Sequence, residues 1–139
     1  MELYNVIILT HIMKLTNAPV AAMLPVVDLE RAKKFYEEKL GLTPMMGIDM
    51  PGIAMYTAGK STMLGLYQRE QTKADHTVAC FEVMDIEGTI RDLKADGIVF
   101  EEYDYPDFKT VNSIVTEGAN KAAWFKDTEG NILGLNQKG

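Results

Sequence analysis

The sequence predicts an α+β protein assembled from two copies of one unit, each a strand, a helix and then further strands. Three observations predict it. Met63-Leu64-Gly65-Leu66-Tyr67-Gln68 returns as Ile132-Leu133-Gly134-Leu135-Asn136-Gln137, an offset of 69 residues. Val27-Asp28-Leu29-Glu30 returns as Met84-Asp85-Ile86-Glu87, an offset of 57. Each of these acidic steps follows an apolar, strand-like run, Val20–Val26 and Thr77–Val83, and leads into residues at helical spacing. The offsets differ by 12, so the second copy carries about a dozen extra residues. The stretch Glu101–Gly118, rich in acidic, aromatic and turn residues, is their natural place.

In the first copy, Asp28 suits a helix N-cap, because its carboxylate can accept a backbone N–H of the first turn. Leu29, Ala32, Phe35, Tyr36 and Leu40 then fall on one helical face. Gly41 ends the helix, where left-handed backbone is needed. In the second copy, Asp85 is the cap, Ile86, Ile90 and Leu93 are the stripe, and Gly97 is the stop. Extended segments are expected at Ile53–Thr57 and Thr62–Gln68, then at Val99–Tyr103, Lys121–Lys126 and Ile132–Asn136. Asp127-Thr128-Glu129-Gly130-Asn131 reads as a tight turn between the last two.

Length and composition limit what the chain does. At 139 residues it suits one domain. We read 19–139 as that domain, with modules at about 19–70 and 74–139, and 1–18 as an N-terminal extension, strand or flexible. His11 falls in the extension. A net charge of −6 argues against a broad nucleic-acid footprint, which needs clustered Lys and Arg. No apolar run is long enough for a membrane span. The single cysteine, Cys80, excludes an internal disulfide and fits a reducing, cytoplasmic setting.

Val27-Asp28-Leu29-Glu30-Arg31-Ala32 with Phe35-Tyr36 and Leu40-Gly41 resembles the first module of the vicinal oxygen chelate superfamily. That superfamily includes glyoxalase, extradiol dioxygenases and bleomycin-resistance proteins. Ala123-Trp124-Phe125-Lys126-Asp127-Thr128-Glu129-Gly130-Asn131-Ile132-Leu133 resembles its last hairpin, with Thr128 where proline is usual. The resemblance covers about 19–137. It implies paired βαβββ modules whose curved mixed sheets surround a shared cavity.

The resemblance also implies four inward positions that hold a metal in metal-dependent members. Counting seven residues back from each helix cap gives Ala21 and Val78, and the last strand of each copy gives Gly65 and Gly134. None offers a side-chain lone pair, so no divalent metal and no cofactor are expected in the cavity. Alternation along strands puts Met23 on the face of Ala21, Tyr67 on that of Gly65, Asn136 on that of Gly134, and His76 and Cys80 on that of Val78. Trp124 falls where family members point an aromatic at the ligand. The long loop, which carries Tyr103, Asp104, Tyr105, Pro106, Asp107 and Phe108, is a candidate lid, with Tyr105 its expected ligand contact. The expected ligand-binding residues are thus Trp124, Tyr67, His76, Met23, Asn136 and Tyr105. Each also has a plainer reading: Trp124 as core, His76 as a turn residue, the loop as a solvated connection.

Two functions follow. The first is metal-free binding or sequestration of a small amphipathic molecule by a homodimer. The alternative is a glyoxalase-like lyase or isomerase, or a dioxygenase. It would use a displaced metal site built on His76 with Glu82 or Glu102, or acid–base chemistry by His76 or Tyr67.

Overall fold

A computed structural model describes residues 14–139. The N-terminal run that contains His11 lies outside the described residues, as does most of the expected extension. Strand β1 (Ala21–Val26) leads to α1 (Leu29–Lys34), which widens into a π-helical turn over Phe35–Lys39. β2 (Thr43–Pro44), β3 (Ile53–Ala58) and β4 (Thr62–Gln68) complete the first unit. The second runs β5 (Thr77–Glu82), α2 (Ile86–Ala95), a small hairpin β6 (Asp104–Tyr105) and β7 (Phe108–Lys109), then β8 (Val115–Glu117), β9 (Asn120–Lys126) and β10 (Ile132–Gln137).

The architecture is α+β, with two four-stranded mixed sheets ordered β1-β4-β3-β2 and β5-β10-β9-β8. In each, the first strand runs parallel to the last and the others are antiparallel. The helix caps form as the sequence demands. Asp28 accepts from the Arg31 N–H and Asp85 from the Gly88 N–H, while Gly41 and Gly97 close the helices at φ +72° and +90°. The extra residues of the second copy form the β6–β7 hairpin and the turn after it. Val99–Tyr103, expected as a strand, makes only a single bridge, between Phe100 and Phe125. The inserted hairpin takes up the chain that would have continued it.

Both sheets cover one hydrophobic core with the same kind of face. Leu24, Val26, Leu64 and Leu66 of the first sheet and Ala123, Phe125, Leu133 and Leu135 of the second turn inward, joined by Phe35, Tyr36, Ile86 and Ile90 of the helices. The Phe35 and Phe125 rings meet at 6.5 Å, so the first helix packs on the second sheet.

A polar clamp locks the two units together. The turn Asp127–Asn131 docks on the start of α1. Glu129 accepts from the backbone N–H groups of Val27 and Asp28, both at 2.9 Å, and takes the Arg31 guanidinium through Nε (2.8 Å) and Nη2 (3.0 Å). Asp127 accepts from the Tyr36 hydroxyl at 2.7 Å and from the Asn131 amide, which also donates to the Pro25 carbonyl. Burial alone would raise the Glu129 pKa. The Arg31 guanidinium, the Asp28 and Val27 N–H groups and the Thr128 hydroxyl outweigh it and hold the carboxyl at about 2. Burial, reinforced by Asp127, pushes the Tyr36 phenol far above its ordinary value, so it remains a neutral donor.

Candidate functional site

The faces that turn away from the core carry the candidate chemistry. Because side chains alternate along a strand, the buried Leu64/Leu66 and Leu133/Leu135 pairs leave Gly65 and Gly134 facing outward. Gly65 lies between Met23 of β1 and Met55 of β3. Gly134 lies between Cys80 of β5 and Trp124 of β9. The repeat offsets superimpose these neighbours, Met23 on Cys80 and Met55 on Trp124. The two glycines therefore occupy equivalent places whose chemistry has diverged.

One expected position is corrected. Ile132 pairs with Thr77, yet Leu133 pairs with Ala79, so β5 bulges by one residue at Val78. Val78 packs against the core. Thr77 sends its methyl to within 3.5 Å of where a residue-134 Cβ would stand, beside the Cys80 sulfur at 3.2 Å. In the first sheet Ala21 pairs with Met63, the counterpart of Ile132. Thr77, not Val78, thus holds the position in the second sheet equivalent to that of Ala21 in the first. Counting back from the helix cap missed it because the bulge adds a residue that sequence periodicity does not show, and His76 no longer shares a strand face with Val78.

The expected ligand-binding residues fall into two groups. Met23 and Tyr67 belong to the first sheet, on the Gly65 face, and Met23 is 45% exposed. Trp124 and Asn136 belong to the second sheet, His76 stands just before its strand β5, and Tyr105 lies in the β6–β7 hairpin. There, Trp124 and His76 line a pocket of about 230 Å³ with Asp75, Thr77, Tyr103, Phe108 and Ile132. The inserted hairpin supplies its aromatic wall. Tyr103 meets Trp124 edge-on at 5.8 Å and Phe108 meets it at 5.3 Å, while Tyr105 stacks on Tyr103 at 6.3 Å. Of the aromatics in the expected lid segment, Tyr103 and Phe108 touch Trp124, while Tyr105, expected as the ligand contact, stacks on Tyr103. Thr110 anchors the hairpin base, since its hydroxyl accepts from the Tyr103 N–H at 2.9 Å. Asn136 lies further along β10, on the Gly134 face, paired with Ala122.

Burial, with Glu82 adding to it, raises the Cys80 pKa, so the thiol stays protonated and is a poor nucleophile. Burial, then Glu101, raises that of Tyr103. His76 is exposed and faces Asp75 at 3.5 Å. Glu82 pairs with Lys138, and Glu102 accepts from Thr110. Ala21, Gly65, Thr77 and Gly134 offer one hydroxyl between them, which does not fit the several converging donors a divalent cation requires. Among the described residues, no group of three or more His, Cys, Asp or Glu side chains is placed to hold a metal ion. No described helix is long and apolar enough to cross a membrane.

With this geometry in place, known proteins supply the class. Residues 9–135 match the family model for the Glyoxalase/Bleomycin resistance protein/Dioxygenase superfamily, and the chain belongs to that superfamily. No curated protein matches it. Among solved structures it is similar to TnmS3, an antibiotic binding protein from Streptomyces sp. CB03234, with a TM-score of 0.66 and 20% identity, covering 91% of this chain and 99% of that one. A glyoxalase/bleomycin resistance protein from the same strain gives a TM-score of 0.63 at 25% identity, covering 86% and 100%. A putative glyoxalase family protein from Bacillus anthracis gives 0.68 at 15% identity, covering 92% and 100%.

Proposed function

We propose that this protein binds a small, partly aromatic or amphipathic molecule without the help of a divalent metal, and that the pocket beside Trp124 receives it. The observation that carries this reading is the diverged pair of glycine centres. Where a chelating member needs donors, this chain has Ala21, Gly65, Thr77 and Gly134. Where a ligand ring would stack, it has Trp124 walled by Tyr103 and Phe108. Apolar walls with a few polar tips are the ordinary make-up of a small-molecule site. A larger hollow, about 560 Å³, lies where β1 approaches β5; Phe81 is its one aromatic side chain, among Ala22, Ala79, Cys80 and the Ala58–Thr62 turn, whereas the smaller pocket gathers Trp124, Tyr103 and Phe108. The similarity to an antibiotic binding protein favours binding over turnover.

Trp124 is the only tryptophan, so its emission reports the pocket directly. Titration with a metabolite and antibiotic library, with and without a chelator, tests the proposal. Chelator-insensitive saturation with a rise in melting temperature is expected. Binding that requires zinc or manganese would overturn the metal-free reading. The protein acts as a homodimer in this proposal, because the Gly65 face leaves Met23 exposed beside Tyr67. A sedimentation mass of one chain at micromolar concentration would refute that part.

A further inference from the structure

We propose that the outward face of the first sheet holds a soft monovalent cation, Cu(I) or Ag(I), between the thioether sulfurs of Met23 and Met55 above Gly65. The site is separate from the pocket beside Trp124 and does not rest on it. Two observations carry it. The first is where the methionines lie. Methionine ordinarily serves as adaptable filler in cores, yet no described methionine belongs to the buried core. All the described ones except Met84 gather on this face and its rim. Register places them. Met23 of β1 and Met55 of β3 both pair with Gly65 of β4. Met45 continues the ladder beyond β2, since its N–H donates to the Met55 carbonyl at 2.9 Å. Met63 stands two residues before Gly65 and shares its face. Met46 and Met50 follow in the β2–β3 loop, both exposed.

The second observation is convergence. A Cβ built on Gly65 would stand 2.7 Å from Met55 Sδ, 2.8 Å from Met23 Cε and closer still to Met23 Sδ. Two sulfurs, from the strands on either side, thus lie within 2.7 Å of one point. Gly65 has no positive φ that would demand glycine. Its missing side chain is what lets the sulfurs meet. An ion at a metal–sulfur distance of about 2.3 Å, the zinc–thiolate value, reaches both after a small rotamer adjustment, which the three rotatable bonds of methionine permit. Thioethers are soft donors and select Cu(I) over magnesium or calcium. The donors here come from the flanking strands and not from position 65, and they are unlike those a divalent cation requires. Met45 and Met63 can supply further sulfur as their side chains turn. In the second sheet the equivalent row is Cys80, Gly134 and Trp124, so the thioether pair is confined to the first.

The test uses Ag(I), which needs no reductant, on the Cys80→Ser chain, because a thiolate would bind the ion by itself. Calorimetry reads affinity and stoichiometry, and NMR of the methionine methyl groups reads which side chains bind. One Ag(I) per chain is expected, with the Met23 and Met55 methyls shifted and that of Met84 unmoved. A thioether has no proton to release, so Kd should change by less than about twofold between about pH 5.5 and about pH 7.5. Met23→Leu and Met55→Leu nearly conserve volume, and each should weaken binding at least about tenfold with the melting temperature unchanged. Failure of Ag(I) to bind the Cys80→Ser chain would overturn the proposal and leave the face an adaptable apolar surface. Binding that survives the double variant Met23→Leu/Met55→Leu would also overturn it. So would binding that falls away at the lower pH, as imidazole ligation does. Quenching of Trp124 by organic ligands is measured separately, so either site fails without the other.

Discussion

Replacing Glu129 by alanine removes the acceptor on which the two modules converge. Two backbone N–H groups, Val27 and Asp28, lose their only side-chain partner, and Arg31 loses both of its bonds. The Glu129 side chain is wholly buried while that of Arg31 is 52% exposed. Breaking a fully buried pair costs about 3–5 kcal/mol. Solvent on the Arg31 side places this one near the lower end, about 3 kcal/mol. For a chain of this size that is a fall in Tm of about 10 °C. The same carboxylate sets a pH dependence. Its folded pKa of about 2 lies below the ordinary 4.5. The stability it contributes is therefore fully present above about pH 4.5 and is lost as pH falls through about 2. The shift corresponds to at most about 3 kcal/mol, about half that after screening of the exposed guanidinium. Urea unfolding of the native chain, Glu129→Ala and Glu129→Gln between pH 5 and pH 2 measures both effects. Glu129→Gln should flatten the acid limb. A loss below about 1 kcal/mol in Glu129→Ala, or an acid limb unchanged in Glu129→Gln, would refute the clamp.

Gly88→Ala should destabilise by about 1 kcal/mol, the reverse of the usual helix gain, because the new methyl would stand 3.0 Å from Asp85 Cγ and closer still to its oxygen, dislodging the cap; denaturant midpoints decide the sign. Tyr36→Phe should cost about 1–2 kcal/mol by removing one donor from Asp127, with the m-value unchanged. Phe108→Ala should uncover Trp124 and shift its emission to the red; an emission maximum identical to the native chain would contradict the contact at 5.3 Å.

Local chemistry made much of the fold legible in the sequence. Asp28 and Asp85 announce their helices because a carboxylate before an apolar stripe has one favourable use, and Gly41 and Gly97 end them because other residues resist positive φ. The Leu-Gly-Leu repeat set the register of β4 and β10 and, through it, the equivalence of Gly65 and Gly134. Three things were not legible. The bulge at Val78 is a contest between strand pairing and core packing, and a β-branched apolar residue fits either outcome. The aromatic wall arises because a hairpin folds back, which decides that Tyr103 and Phe108 reach Trp124 while Tyr105 stacks behind. Glu129 looks like any polar turn residue until the fold delivers Arg31, 98 positions earlier, to its side.

That long reach bears on how the chain folds during synthesis. The start of α1 leaves the ribosome early, yet the carboxylate that its Val27 and Asp28 N–H groups require is encoded about a hundred residues later. Until β9 emerges the Phe35 face lacks Phe125, and until Asp127–Asn131 follows, Tyr36 and Arg31 have no partner from this turn. Interactions between residues so distant in sequence slow folding, because the chain must close a large loop before it gains them. The first module thus waits on the last hairpin. A nascent chain stopped before residue 127 lacks both the clamp and β10, whose Leu133 and Leu135 complete the core.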